Sequence, residues 1–214
     1  MTAPLAIDVI SDVVCPWCYI GKRRLEKALA LVPDLAIEVR WRPYFLNPWI
    51  PREGIDRATY LTTKFGSVEH YHQMAPRVAA AAAAEGLTYD YLRISRQPHT
   101  LDCHRLIHWT AAIEQAAAMT QRLMDLYFTE GADLTDREVL VGAAAAVGLD
   151  APDTRARLAG DADEALITHQ ATRAAQAGID GVPTYVLNGA YTITGAQDAA
   201  LLAEAFRQAA MART

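Results

Sequence analysis

The chain has 214 residues, of which 52% are hydrophobic and 21% are charged, and its formal net charge is −5. This is the composition of an ordinary soluble globular protein, long enough for one large domain or for a smaller domain with an insertion. The negative charge argues against nucleic acids and anionic membranes as partners, because both attract basic surfaces. No stretch reaches the roughly 18 uninterrupted apolar residues of a membrane span, and Met1–Pro4 does not open a secretory signal. We therefore expect a cytoplasmic protein.

The first fifty residues predict a strand, a helix and a second strand. Apolar and polar residues alternate from Leu5 to Ile10 and again from Ile37 to Arg42, which is the period of a strand. Between them, the apolar residues after Pro16 fall on one face of a helix, and Pro33 ends that helix. Residues 1–55 therefore form a β-α-β unit.

A long helical block follows, and the chain then returns to strands. Residues 56–177 are rich in alanine, the best helix former, and predict an all-α insertion whose last helix, about 161–177, leads back to the sheet. In residues 178–214, two short apolar runs flank Asn188-Gly189, a turn typical of type I′ hairpins, and a helix closes the chain. The expected fold class is α/β, a central mixed sheet flanked by helices and interrupted by a large all-α insertion.

The motif that carries chemistry is Cys15-Pro16-Trp17-Cys18, after the first strand and at the start of the first helix. Unpaired backbone N–H groups and the helix dipole favour a thiolate there, so we expect Cys15 to be the exposed nucleophile. Cys18 lies one turn further on and would be the resolving thiol that closes a disulfide. Pro16 suits the first helical turn, and Trp17 offers an apolar surface beside the sulfur atoms.

Other interpretations of these residues remain open. A Cys-x-x-Cys pair can be half of a zinc site, with Cys103-His104 as the other half, or two buried apolar side chains. The spacing of a zinc site is absent and the strand–loop–helix context favours redox chemistry, so we predict no metal. Cys103 fits a small core residue, and His104 fits a packed or hydrogen-bonded residue at a domain interface. Asp12 would cap the helix or bond to a loop, or it would assist proton transfer at Cys18.

A second signal is Gly181-Val182-Pro183-Thr184, because a proline directly before a strand must open it or lie at an edge. Together with the cysteine motif, this segment resembles the thioredoxin superfamily, and the helical insertion resembles its DsbA-like branch. Further stretches are similar to the FrnE-like members, a cytoplasmic group related to 2-hydroxychromene-2-carboxylate isomerases and kappa-class glutathione transferases. These stretches are Ser11–Gly21, His104–Ile107, Gly178–Thr184 and Gly195–Gln197.

The resemblance implies a thioredoxin fold, with a cis peptide bond before Pro183 that faces the two cysteines. It implies a thiol–disulfide oxidoreductase that acts on protein or small-molecule disulfides, without an organic cofactor and with glutathione as a candidate co-substrate. The alternative is a glutathione-dependent isomerase or transferase, and a zinc-stabilised binding module comes third. The expected substrate-binding residues are Pro16, Trp17, Val182 and Pro183.

The residue before the second cysteine also predicts how acidic the first one is. DsbA has a histidine there, and its nucleophilic thiol has a pKa of about 3.5. Trp17 offers no charge to a thiolate, so we expect a pKa of Cys15 above that of DsbA.

Overall fold

A four-stranded mixed sheet lies at the centre of the computed structural model, which describes residues 3–212. The strands of the chain are β1 (Leu5–Ser11), β2 (Ile37–Pro43), β3 (Ile55–Asp56), β4 (Arg96–Gln97), β5 (Thr184–Leu187) and β6 (Tyr191–Thr194). The central sheet has the order β2-β1-β5-β6, with β1 parallel to β2 and antiparallel to β5. The expected thioredoxin fold is confirmed.

Helices cover this sheet and make up most of the segment between β2 and β5. The helices in the described residues are α1 (Pro16–Ala30), α2 (Arg57–Phe65), α3 (Val68–Ala84), α4 (Leu101–Ala111), α5 (Ala116–Asp125), α6 (Arg137–Ala146), α7 (Ala151–Ala159), α8 (Glu164–Gln176) and α9 (Ala199–Met211). A π-helical turn, Leu126–Glu130, follows α5 directly.

The insertion is not all-α as expected, because β3 and β4 form a small antiparallel pair within it. This pair satisfies backbone groups between helices, and the Arg57 amide extends it by donating to the Ser95 carbonyl at 3.0 Å. The boundaries at residues 55 and 177 stay predictions. Residues 1–2 and 213–214, the ends of the first and last predicted segments, lie outside the described residues.

Two apolar cores lie around the central sheet. On one side, alternate residues of β1 such as Ile7 and Val9 pack with Leu25 of α1 and Phe206 of α9. The other core joins the residues around the cysteines to the insertion, for example Val13, Met119 and Leu123. The insertion therefore shares a core with the cysteine segment.

The hairpin between β5 and β6 turns at the predicted Asn188-Gly189, but its loop is not the expected two residues long, because Leu187 pairs with Tyr191 and residues 188–190 lie between them. Asn188 and Gly189 have φ values of 52° and 71°, the left-handed conformation that a type I′ turn requires at both positions. In addition, the Asn188 side chain accepts a hydrogen bond from the Ala6 amide at 3.1 Å, which ties the turn to β1. Within residues 3–212, none of the helices is both long enough and apolar enough to cross a bilayer.

Candidate active site

The two cysteines of the motif occupy the first turn of α1. Cys15 is the N-cap residue, with extended dihedral angles (φ −92°, ψ 114°), and Pro16 takes the first helical position. The Cys15 carbonyl accepts hydrogen bonds from the amides of Cys18 and Tyr19, at 3.0 and 3.2 Å. Cys18 therefore lies one turn after Cys15, as the sequence predicts.

Both sulfur-bearing side chains are buried, and the expectation of an exposed Cys15 is wrong. Cys15 is 4% exposed and Cys18 is 2% exposed, whereas Trp17 between them is 44% exposed. The physical reason is the segment before β5, which lies against the motif and places the Val182 carbonyl oxygen 3.6 Å from the Cys15 sulfur. Trp17 is the part of the motif that reaches solvent.

The segment over Cys15 contains the cis peptide bond Val182–Pro183, in agreement with the resemblance. The Gly195 amide donates to the Pro183 carbonyl at 2.8 Å, so the hairpin holds this bond in place. From the other side, Gly21 of α1 approaches Pro183 so closely that a Cβ at position 21 would lie 2.6 Å from its Cγ. The cis-proline segment is thus held between α1 and the end of β6.

The two thiols have opposite pKa shifts. The pKa of Cys15 is lowered, chiefly because the Cys18 thiol hydrogen-bonds to its sulfur, and this outweighs the opposing effect of burial. The pKa of Cys18 is raised well above its ordinary value, first by burial and then by that hydrogen bond and the charge on Cys15. The geometry therefore favours one thiolate, on Cys15, with Cys18 as its protonated partner.

Comparison with known proteins shows the family of this chain. The family model of the DSBA-like thioredoxin domain matches residues 6–207. The chain belongs to the DsbA-like thioredoxin family. This match also supports the resemblance to the FrnE-like branch. The members of the DsbA-like family are thiol–disulfide oxidoreductases.

Individual relatives match this DsbA-like chain over nearly its whole length. The crystal structure of the probable DsbA oxidoreductase SCO1869 from Streptomyces coelicolor is 37% identical, with a TM-score of 0.87, and covers 98% of this chain and 92% of that one. The uncharacterized protein YwbO from Bacillus subtilis is 26% identical over 89% of this chain and 90% of its own length. The cytosolic disulfide reductase DsbM from Pseudomonas aeruginosa, solved with GSH, is 18% identical, with a TM-score of 0.66 over 98% of both chains, and shows the shared fold.

A buried carboxylate, that of Asp12, precedes Cys15 by three residues in this DsbA-like site. Asp12 is 1% exposed, and its Oδ2 accepts a hydrogen bond from the Leu46 amide at 2.8 Å. Its charge raises the pKa values of both Cys15 and Cys18. Asp12 therefore bonds to a loop, one of the two structural roles predicted for it, because α1 begins without a side-chain cap.

His104 of α4 approaches this carboxylate from the insertion. Its Nε2 lies 3.4 Å from Asp12 Oδ1 and 3.1 Å from the Tyr44 carbonyl oxygen. Since a carbonyl oxygen can only accept, the Nε2 atom carries a proton and donates a hydrogen bond to the Tyr44 carbonyl oxygen. The prediction of a packed, hydrogen-bonded His104 at the interface is confirmed.

Two further residues with ionisable side chains, Asp8 and Cys103, have other partners and surroundings. Asp8 of β1 pairs with Arg40 and Arg42 of β2, at 2.9 and 2.6 Å. Cys103 is fully buried in the core, and burial raises its pKa well above the ordinary value. Among residues 3–212, no three His, Cys, Asp or Glu side chains come close enough together to hold a metal.

One cation that interacts electrostatically with Cys15 was not expected from the sequence. Lys64 of α2 donates to the side chain of Asn47, and its ammonium lies 5.7 Å from the centre of the Tyr60 ring. Burial lowers the pKa of Lys64, and the charges of Cys15 and Asp12 oppose that shift. No local pattern identifies this lysine, because only the packing of the insertion brings α2 to the site.

Proposed function

We propose that this chain is a thiol–disulfide oxidoreductase in which Cys15 is the nucleophile and Cys18 the resolving thiol. The observation that carries the proposal is the placement of both cysteines in the first turn of α1, with Cys15 at the N-cap and its carbonyl accepting from the Cys18 amide at 3.0 Å. The directions of the two pKa shifts agree with this placement. A thiolate is the attacking species in thiol–disulfide exchange, and a neighbouring protonated thiol can wait to resolve the mixed disulfide.

The reaction consists of two exchange steps. The Cys15 thiolate attacks one sulfur of a substrate disulfide R–S–S–R′, which forms a Cys15–S–S–R bond and releases R′S⁻. The Cys18 thiol then loses its proton and attacks the Cys15 sulfur, so that the Cys15–Cys18 disulfide forms and RS⁻ leaves. The enzyme dithiol loses two electrons and the substrate disulfide gains them, and both released thiolates take up protons from solvent. No organic cofactor takes part in these steps.

We infer that the substrate lies across Pro16, Trp17, Val182 and Pro183. Trp17 is the exposed apolar side chain beside the sulfur atoms, and an aromatic ring offers large contact area to a peptide or a small thiol. The Val182 carbonyl oxygen accepts from the Cys15 thiol at 3.6 Å and has a second lone pair for a backbone N–H of an extended substrate.

The substrates that we propose are protein or small-molecule disulfides, with glutathione as a candidate co-substrate. A cytoplasmic site of action belongs to the same proposal, and the fold shared with the cytosolic reductase DsbM supports it. The glutathione-dependent isomerase or transferase is not favoured, because the family model and the Streptomyces relative are both DsbA-like.

The test is reduction of insulin by the purified protein and its serine variants. Cys15→Ser should abolish the activity, because no nucleophile remains. Cys18→Ser should impair it strongly and accumulate a mixed disulfide on Cys15, which intact-mass spectrometry detects. Cys103→Ala is the matched control, since it removes the third thiol away from the motif, and it should keep the activity. Full activity in both serine variants would refute the proposal.

A further inference from the structure

Within residues 3–212, one edge of the central sheet carries backbone groups without partners. Strand β2 ends the order β2-β1-β5-β6 and pairs with β1 alone. The Leu5 amide donates to the Ala36 carbonyl at 2.8 Å, and the Tyr44 amide donates to the Ser11 carbonyl at 3.1 Å. These two bonds fix which residues of the parallel ladder face the neighbouring strand. Every second residue of β2 therefore turns its backbone groups away from β1.

The residues that face outward are Ile37, Val39, Trp41 and Pro43. Pro43 has no N–H. The amides and carbonyls of Val39 and Trp41 have no hydrogen-bond partner in the described part of the chain. Two donors and two acceptors thus alternate along about 7 Å of the edge. An unpaired edge of this kind is a template for another strand.

A cleft of about 550 Å³ runs beside this edge, between β2 and the insertion. Its lining includes β2 from Glu38 to Pro43, and residues of α4, α5 and α8 form the opposite wall. An added strand needs about 160 Å³ per residue, because strands rise ~3.3 Å per residue, neighbouring strands lie ~4.8 Å apart and packed layers ~10 Å apart. The cleft therefore holds about three to four residues of an extended chain, and its helical wall leaves no room for the sheet of a second copy.

The charges of the cleft favour a basic guest. Glu38 and Glu114 line it, both are exposed, and neither forms an ion pair with another described residue. Arg40 and Arg42 also line it, but both are bound to Asp8 of β1. Three carboxylates against two guanidinium groups leave a net charge of −1, and the two free charges are both negative.

The helical wall of the cleft supplies apolar contacts. Ile107 of α4 and Ile167 of α8 are buried there, and the small side chains of Ala111, Ala116 and Ala117 surround the opening. Successive side chains of an extended chain point to opposite faces. A segment in which basic and apolar residues alternate therefore matches both the free carboxylates and this wall.

One end of the cleft lies beside the segment that carries the cysteines. Ser11 and His104 line the cleft, Ser11 ends β1 four residues before Cys15, and His104 lies 3.4 Å from Asp12. Because β1 and β2 are parallel, their carboxyl ends lie together at the end of the sheet where α1 begins. A chain laid along β2 therefore leads towards the cysteine motif.

We propose that the β2 edge binds an extended basic segment of a disulfide-containing protein substrate as an added strand. The choice of partner rests on the proposed function, whereas the docking itself needs neither cysteine. Val39 and Trp41 exchange backbone hydrogen bonds with the segment, and its basic side chains lie against Glu38 and Glu114. Addition of a strand to an exposed sheet edge is a recurring mode of peptide recognition.

The docking is tested with a fluorescein-labelled pentapeptide, Val-Lys-Val-Lys-Val, whose carboxyl end is amidated. The acidic peptide Val-Glu-Val-Glu-Val is its charge control. Fluorescence anisotropy should show binding of the basic peptide that weakens with added salt, and at least about tenfold weaker binding of the acidic one. Equal binding of the two peptides, or no binding of the basic one at 1 mM, a ceiling on the order of weak affinity, refutes the proposal.

Amide hydrogen exchange measured by NMR locates the bound peptide. The Val39 and Trp41 amides are free, while those of Arg40 and Arg42 face β1. Saturating basic peptide should slow exchange of the two free amides at least about tenfold, because an added strand bonds them. Unchanged exchange at both amides overturns the proposal. Slow exchange that appears without peptide and increases with protein concentration would assign the edge to a second copy, which also overturns it.

A proline at the edge removes one outward donor and leaves the ladder intact. Val39→Pro should weaken binding of the basic peptide about tenfold, because the Val39 N–H faces away from β1. The matched control is Thr192→Pro on β6, the opposite edge of the same sheet, where the amide also faces outward. This control should bind the peptide like the wild type. Equal affinity of Val39→Pro and the wild type contradicts strand addition.

Charge variants keep the proposal testable if Val39→Pro misfolds. Glu38→Gln combined with Glu114→Gln should weaken binding of the basic peptide about fivefold at low salt, since two exposed ion pairs are lost. Glu204→Gln, at an exposed position on α9, is the control and should have no effect. An unchanged affinity of the double variant rules out the proposed charge pairing.

The role of the docked segment in catalysis is measured separately. Joining the basic pentapeptide through a flexible Gly-Ser linker to a short peptide with an internal disulfide should lower the KM of that disulfide about tenfold and leave kcat unchanged. In Val39→Pro the tail should give no advantage. A tail without effect in the wild type overturns the assignment of the edge to substrate. Cys15→Ser should still bind the pentapeptide, so loss of the proposed function and loss of docking are distinguishable.

Discussion

The contact between α1 and the cis-proline segment depends on the absence of a side chain at Gly21. A Cβ at this position would lie 2.6 Å from Pro183 Cγ and 2.7 Å from the Tyr185 hydroxyl oxygen. Carbon atoms in contact prefer about 3.5–4.0 Å, so Gly21→Ala forces the helix and the segment apart by about 1 Å. It also strains the hydrogen bond of 3.0 Å that the Tyr185 hydroxyl donates to the Gly21 carbonyl.

The expected loss of stability follows from two opposing effects. Overpacking of this kind costs about 1–3 kcal/mol, while alanine favours a helix over glycine by up to about 1 kcal/mol. With the full gain in helix propensity, we expect Gly21→Ala to lower the free energy of unfolding by up to about 2 kcal/mol, which corresponds to a fall in Tm of up to roughly 8 °C for a chain of this size. Displacement of the Val182 carbonyl should also slow insulin reduction.

Urea denaturation followed by circular dichroism measures the effect, and Gly142→Ala provides the matched control. Gly142 is exposed on α6, and among the described residues no atom beyond its chain neighbours and the nearby backbone of α6 lies within 4 Å of a Cβ placed there. This control should stabilise the protein by up to about 1 kcal/mol, because only helix propensity changes. If Gly21→Ala were as stabilising as Gly142→Ala, with activity unchanged, the close approach to Pro183 would not exist in solution.

Three further outcomes are expected. Alkylation of Cys15 by iodoacetamide should have its midpoint below the ordinary thiol value of about 8.5 but above that of DsbA, and Trp17→His should lower it; a wild-type midpoint below about 4 would contradict the reasoning. Arg105→Met should lower the free energy of unfolding, measured by urea titration, by about 3 kcal/mol, because the buried guanidinium donates to three carbonyls of residues 157–162. The control Arg155→Met, at an exposed ion pair, should have no measurable effect. Cys103 should react with alkylating reagents only in denaturant, because its side chain is fully buried and its pKa is raised; rapid labelling of the native protein would disprove this.

Local patterns predicted the elements that depend on neighbouring residues in the chain. The alternation in β1 and β2, the helix that begins at Pro16 and the Asn188-Gly189 turn all appear in the structure, because periodicity and turn chemistry act over a few residues. The cysteine motif falls at the helix N-terminus for the same reason. The cis bond before Pro183 was expected from the family resemblance alone.

Features that need distant segments could not be predicted from local patterns. The burial of Cys15 depends on Val182, far along the chain, and the contact between Asp12 and His104 depends on how the insertion packs. The pairing of β3 with β4 was missed because strands of two residues have no detectable period. The electrostatic effect between Lys64 and Cys15 could not be predicted either, because it depends on tertiary packing.

The position of β1 between β2 and β5 has a consequence for synthesis on the ribosome. The roughly 140 residues between β2 and β5 take about 7–30 s to translate at about 5–20 residues per second. During that interval β1 can pair with β2 while its other edge stays open, and open strand edges invite aggregation. The nascent chain also exposes Cys15 before the Val182 segment that shields it exists. We expect this N-terminal segment, through the end of β2 at Pro43, to be the part that chaperones and cellular thiols meet first.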